Sequence, residues 1–440
     1  MDENTSEAGG NDAPEIKLRS LCLFITVLRS DLPTTTFPAK TSPEGEGEGE
    51  KAGFYEKIRA AKQLGELISK GATSKIGIEV QTVRIATNSF TEYMQVSNRA
   101  VYERQIEYVK GVLEEFGVEF FNAGPASTPS HTSNLILPLL KSSSRISASS
   151  IVGACDQEHG GAVADVVMAL KDEQGGEANF RYCSQTRTSS PYCPFFPSAY
   201  APSSSARLAD RICVSIGLEN GRMCNRGLKT CEKLFDIQTK FKDYYEARAA
   251  RIVESVTRSI DEVQAAVKGF KVEYKGIDTS LNPSLDSGGS VCSAIESLPF
   301  VKGGIGGVGV MAACAAITTA IQSMPFMRTG YCGIMLPVCE DYRLCEIQLS
   351  DAWEDKCCRK YTVSHLMNVS SVCGVGIDTV PVPHNVDKDD IVGVIMDANA
   401  LAERWGKPLS VRLFPVPDLE VGDVTDFSSP HLRNTKVFKL

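Results

Sequence analysis

Short runs of β-branched and aliphatic residues alternate with longer stretches of helical spacing along most of the chain, and this alternation limits the fold more than any other feature. Parallel strands need a crossover of a dozen or so residues, usually a helix, so the pattern predicts an α/β fold with helices covering a sheet. Nine runs read as strands: 18–27, 82–86, 118–122, 146–149, 211–217, 272–278, 333–338, 374–380 and 410–414. Nine strands with intervening helices suit a closed barrel as well as an open sheet. The clearest helix is predicted over 239–268, where Val253, Val256, Ile260, Val263 and Val267 recur at steps of three and four before Gly269. Its other face carries Glu254, Arg258, Asp261 and Glu262, as expected of a packing helix outside the sheet. A second helix, over 308–323, is apolar nearly all round and is expected to be buried.

The breaks in this pattern set the domain organisation. Residues 1–15 are polar and acidic and are expected to be disordered, leaving 16–440 as one α/β domain. Two loops are inserted in it. One, at 30–52, contains the acidic low-complexity run 44–50; the other, at 182–205, is rich in Ser, Pro and aromatics (Tyr192, Phe195, Phe196, Tyr200) and reads as a lid or partner contact. No apolar run approaches the roughly 18 residues of a spanning helix, and the start lacks the pattern of a secretory signal, so a cytoplasmic protein is expected. A formal charge of −8 gives no basic footprint for nucleic acid or a membrane surface. The fifteen cysteines are an odd, scattered set without zinc-finger spacing, which predicts reduced, mostly buried thiols. Cys357-Cys358 reads as a solvent-facing helix end.

Candidate chemistry gathers where apolar runs stop. Ile277-Asp278 leads into Ser280, Asn282 and Ser284, a set that could hold a substrate, a metal or a base, or simply cap the next turn. Asp378 ends a similar run before Pro381, and Glu340-Asp341 follow 334–338, again as site residues or as a cap. The segment 303–309, with Gly306 and Gly307, exposes backbone N–H groups ahead of a helix; it either cradles an anion or serves as a hinge or close packing contact. Arg84 and Arg412 interrupt apolar runs. Pointing outward, as is usual, they need no explanation; pointing inward, each requires an anion. Asp156 to Gly161, with His159, resembles a strand-to-helix active-site loop or a solvated turn, and His131 and His384 lie in loops near prolines.

The run 276–290, the glycine segment before 308–314, the strand 333–338 with Glu340-Asp341, and Cys373-Gly374-Val375-Gly376-Ile377-Asp378 followed by Val411-Arg412-Leu413 together resemble the bacterial and archaeal family called domain of unknown function 711, or UPF0210. The likeness covers most of 75–440. It implies a pyruvate formate-lyase-like α/β barrel, in which about ten strands enclose a site reached by loops, and a small ACT-domain protein as partner. Arg328-Thr329-Gly330-Tyr331 is one residue short of a glycyl radical motif and lies in mid-chain, so radical chemistry is not expected.

The resulting expectation is a non-radical enzyme of small-molecule metabolism, a lyase or hydrolase, acting on a small carboxylate or amino-acid-like substrate in a barrel cavity. Asp278, Asp378 and Glu340 are its candidate catalytic groups. Arg84, Ser280, Asn282, Ser284, Gly306, Gly307 and Arg412 would bind substrate, and Asp341 would hold a divalent cation. The alternative is an amino-acid-sensing regulatory protein working with the small partner. A homo-oligomer is expected in either case.

Overall fold

The computed structural model describes residues 14–34, 53–350, 359–373 and 375–440. The expected disorder before residue 14, most of the 30–52 loop, and the Cys357-Cys358 pair lie outside these residues.

Nine strands form one mixed sheet: β1 (Lys17–Ile25), β2 (Val83–Thr87), β3 (Phe121–Ala126), β4 (Ile146–Val152), β5 (Tyr182–Thr186), β6 (Arg211–Glu219), β7 (Lys271–Asp278), β8 (Gly376–Pro383) and β9 (Ser410–Val416). Their order is β7-β6-β1-β2-β3-β4-β5-β9-β8. The pairings β1/β6 and β5/β9 are antiparallel and the rest parallel, so the sheet is a parallel block of β1 to β5 flanked by two pairs that run the other way. Both faces are covered, which is why the central strands are buried almost continuously rather than at alternate residues.

On β1, Leu21, Leu23 and Ile25 join the main core, while Cys22 and Phe24 face the other way and lie with Ala86 and Cys213 beneath Tyr192 and Phe196. The aromatic segment read as a lid is therefore packed against a sheet face.

Six helices matter below: α1 (Gly53–Ile76), α2 (Pro129–Ser142), α3 (Lys242–Val263), α4 (Val291–Glu296), α5 (Val310–Gln322) and α6 (Tyr342–Leu349). Helices α1 and α3 pack together outside the sheet, as the spacing of valines and isoleucine on α3 predicts. Gly65 lets α1 approach closely, since a Cβ there would stand 2.4 Å from Val83 Cγ1 and 3.0 Å from Leu23 Cδ1. Helix α5 is buried along most of its surface.

Two strand expectations fail. β5 lies inside what reads as an inserted loop, because Tyr-Cys-Ser-Gln-Thr has little aliphatic content; all five residues are buried, and Gln185 donates to Ser149 Oγ at 2.7 Å. Conversely, 333–338 forms only an isolated parallel bridge, Leu281 to Ile334, before the 3-10 turn Val338–Glu340. Pro337 has no N–H to continue a ladder.

Candidate active site

A cavity of about 420 Å³ opens at the amino ends of β1 to β5. Its lining includes Arg19, Arg84, Phe120, Arg145 and Arg181 together with Ser198, Asn282, Tyr331, Glu340, Asp378 and Arg412. An outer groove of about 1210 Å³ shares Arg19, Arg84, Phe120, Phe180 and His431 with it.

Arg412 is the centre of the charged network. Its Nε donates to Asp378 at 2.6 Å, its Nη2 to Glu340 Oε1 at 2.8 Å and its Nη1 to the Phe180 carbonyl at 3.1 Å, with a side chain only 7% exposed. Burial opposes the cation, but Asp378 and Glu340 outweigh it and hold the guanidinium above its ordinary range. Glu340 also reaches Arg19 at 3.4 Å, and Arg19 is held at 2.9 Å by Glu219 at the end of β6. Burial pushes the Glu340 carboxyl up, with Asp378 adding to this, while Arg412, Arg19 and Arg84 pull it back.

A bulge sets the two acids. The register of β8 on β9 shifts between Ile377 and Val380, and Thr379 has φ +47°, a left-handed conformation costly for a β-branched residue. Thr379 Oγ1 accepts the Cys339 N–H at 3.2 Å, tying the bulge to the turn that carries Glu340. Strain of this kind collects at functional sites.

Arg84 differs from its neighbours. Its guanidinium lies 5.5 Å from the Phe120 ring centre and 5.3 Å from that of Phe196, its Nε donates to Thr82 Oγ1 at 2.9 Å, and no carboxylate pairs with it among the described residues. Burial and the nearby Arg19 cation lower its pKa to about 10, so it stays charged at neutral pH.

The structure thus brings Asp378, Glu340, Arg84, Arg412 and Asn282 to one cavity. Asp278 is not among them. It is fully buried, and its carboxylate accepts from Ser280 N (2.9 Å), Ser280 Oγ (2.5 Å), Tyr331 N (2.7 Å) and Cys332 N (3.0 Å). Burial raises its pKa, and these donors pull it down. It clamps the turn that presents Tyr331 to the cavity; Ser280 is spent in the same clamp, and Ser284 donates to Asp286 at 2.7 Å instead of lining the site.

Asp341 is likewise a cap rather than a metal ligand. It accepts from Ser290 Oγ, Val291 N and Cys292 N at the start of α4, and from Arg343 N and Leu344 N at the start of α6. Five donors fill a carboxylate's lone pairs and leave none for a cation. Gly306 and Gly307 form a tight turn against 359–360: a Cβ on Gly307 would meet the Lys302 carbonyl at 1.9 Å, and one on Gly306 the Lys360 carbonyl at 2.5 Å. Close packing, not an anion, explains these glycines. Asp156 caps its own helix, and the buried His159 bonds Thr132 Oγ1 at 2.8 Å, outside the cavity lining.

Sequence reasoning missed Arg19, Tyr331, Cys183 and His431. Tyr331 OH lies 2.5 Å from Ser198 Oγ and 2.9 Å from Ser410 Oγ. Burial pushes the Cys183 thiol up to about 12, so it stays protonated. His431, at the mouth, is stacked on Phe180; burial and the Arg19 and Arg84 cations push its pKa down, favouring a neutral imidazole. Arg19 alone carried a signal, as a charge near the start of an apolar run.

Against known proteins, the profile of the family described as Uncharacterised ACR (DUF711) matches residues 31–428. The chain belongs to the DUF711 family. The match begins well before residue 75, where the sequence likeness was placed. Relatives of this DUF711 chain include a UPF0210 protein of Pyrobaculum islandicum, 26% identical over 379 residues that cover 82% of this chain and 79% of the relative. A UPF0210 protein of Sulfurisphaera tokodaii is 26% identical over 365 residues, 78% and 75% of the two chains. One of Clostridium botulinum is 22% identical over 404 residues, 87% and 84%. Among the described residues of this DUF711 chain, no helix is long and apolar enough to cross a membrane.

Proposed function

We propose that this protein binds a small carboxylate or amino-acid-like molecule in the cavity and acts on it by non-radical acid–base chemistry. The observation that carries this reading is Arg84: a cation in the cavity wall between two aromatic faces, without a carboxylate partner among the described residues, where Arg19, Arg145 and Arg412 each have one. A planar guanidinium in a poorly solvated wall is suited to bidentate capture of a carboxylate. Glu340, whose carboxyl burial pushes up, and His431, whose pKa is lowered, are the groups placed to exchange a proton with the bound molecule.

The family-like barrel also finds support at the sheet edges. The stretch 328–338 makes isolated bridges to Ile277 of β7 and to Leu281 just beyond it, and Cys339 bonds Thr379 of β8, which supports a tenth, irregular member linking the two edge strands.

A sensing role without turnover is favoured by one feature: both acids of the site already accept from Arg412, which limits their freedom as bases. One pair of measurements separates the readings. Protein taken directly from cells and sprayed under native conditions should retain a carboxylate. Calorimetric titration with it should show Arg84→Gln weakening binding about tenfold to a hundredfold, the worth of a charged hydrogen-bonded pair. Equal affinity in the variant would remove Arg84 from the site, and binding without product by NMR would select the sensor.

A further inference from the structure

Arg181 stands immediately before β5 and lines the same cavity as Arg84. Its Nη1 donates to the main-chain carbonyls of Leu140, Ser143 and Ile146 at 2.8, 3.1 and 3.0 Å. The first two lie at the carboxyl end of α2, where the helix supplies only about half an elementary charge. No carboxylate pairs with Arg181 among the described residues. The other guanidiniums of the cavity are neutralised: Arg19 by Glu219, Arg412 by Asp378 and Glu340, Arg145 by Glu119 at 2.5 Å. Two cations are left facing one hollow.

We propose that the ligand is a short dicarboxylate, one carboxylate held by Arg84 and the other by Arg181; this rests on reading the cavity as a carboxylate site. Register supports the span. Arg84 is on β2, and the β4/β5 pairing of Ala148 with Tyr182 sets Arg181 beside Ser147, three strands away. Three strand spacings separate the two backbones by roughly 14 Å, and both residues line the cavity between them, a span that a short chain with a carboxylate at each end would fill. Phe120 lies between them on the wall and offers an apolar bed for methylenes.

The test is calorimetric titration of the full chain with succinate, glutarate and adipate, each against the monocarboxylate of equal length. In the unmodified protein the best dicarboxylate should bind at least about tenfold more tightly than its partner. Arg181→Gln should reduce that preference to within about twofold while monocarboxylate binding stays the same, and Arg181→Lys should keep part of it. The proposal is overturned by equal affinity for the two classes in the unmodified protein, a comparison that needs no variant to fold, or by a preference that survives in Arg181→Gln. Monocarboxylate binding that depends on Arg84 but shows no gain from a second charge would sink the dianion and leave the carboxylate site standing. Binding of neither class would remove both.

Discussion

The buried Arg412 holds two partly buried acids apart from each other's charge, and its removal has a calculable consequence. In Arg412→Met, Glu340 and Asp378 face one another without their shared cation, so the folded protein should lose about 3–5 kcal/mol at neutral pH. The loss depends on pH with a definite sign. Glu340 is already raised by burial and loses its largest lowering influence, so its folded pKa rises further above the unfolded value. The folded state then binds more protons than the unfolded state between those two pKa values, and stability falls as pH rises through that window. Urea denaturation at pH 5 and pH 7.5 should show the variant closer to the parent at pH 5; an equal deficit at both would contradict the network. How legible this was from sequence depends on the residue. An arginine inside an apolar run reads by default as an outward, solvated charge, and Arg412 departs from that default by turning inward onto two carboxylates. Asp278 gave the same signal as Asp378, a carboxylate at the edge of an apolar run beside small polar residues. A carboxylate consumed by its own loop and one aimed at a ligand share that local pattern, and only the partners distant in sequence, Tyr331 and Cys332 against Arg412, separate them.

Capping decides the element scale. Asp341 closes the amino ends of both α4 and α6, so Asp341→Ala orphans backbone donors on two helices at once. A single cap contributes about 0.5–2 kcal/mol, and a doubly used buried one should cost about 2–4 kcal/mol by chemical denaturation. The affinity for any cavity ligand, measured at a temperature where the variant is folded, should not move. A loss below about 0.5 kcal/mol, or a large change in ligand affinity with stability intact, would return Asp341 to the site. At this scale the sequence is readable wherever aliphatic content and element type agree, as for β1, β6 and α3. It fails at β5, whose polar side chains are satisfied by neighbouring strands, and at 333–338, where an aliphatic run meets a proline and turns. In both cases tertiary partners overrule local composition.

The position of the cavity follows from the topology of the whole sheet. In uniformly parallel sheets ligands sit beyond the carboxyl ends of the strands, and by that rule Asp278 reads as a site residue. Here Arg19, Arg84, Phe120 and Arg145 lie at the amino ends of the parallel block. Because β6 and β7 run against β1, the pairing of Lys17 with Glu219 brings the carboxyl ends of one set to the amino ends of the other, and both sets share a rim. A site assembled this way depends on the sheet holding together as a unit. One contiguous hydrophobic core runs from Ile16 to Phe438 and draws on all nine strands, with no division at either antiparallel junction. Differential scanning calorimetry should therefore give a single transition. Leu23→Ala on β1 and Phe414→Ala on β9, each buried and each worth about 3–5 kcal/mol as a cavity-forming change, should both move that whole transition downward. If instead the transition split, with one component sensitive to Leu23 and the other to Phe414, the sheet would be two cooperative units meeting at the β5/β9 junction. The charged network, which links Arg19 of β1 through Glu340 to Arg412 of β9, would then be an interface that can open rather than a fixed floor.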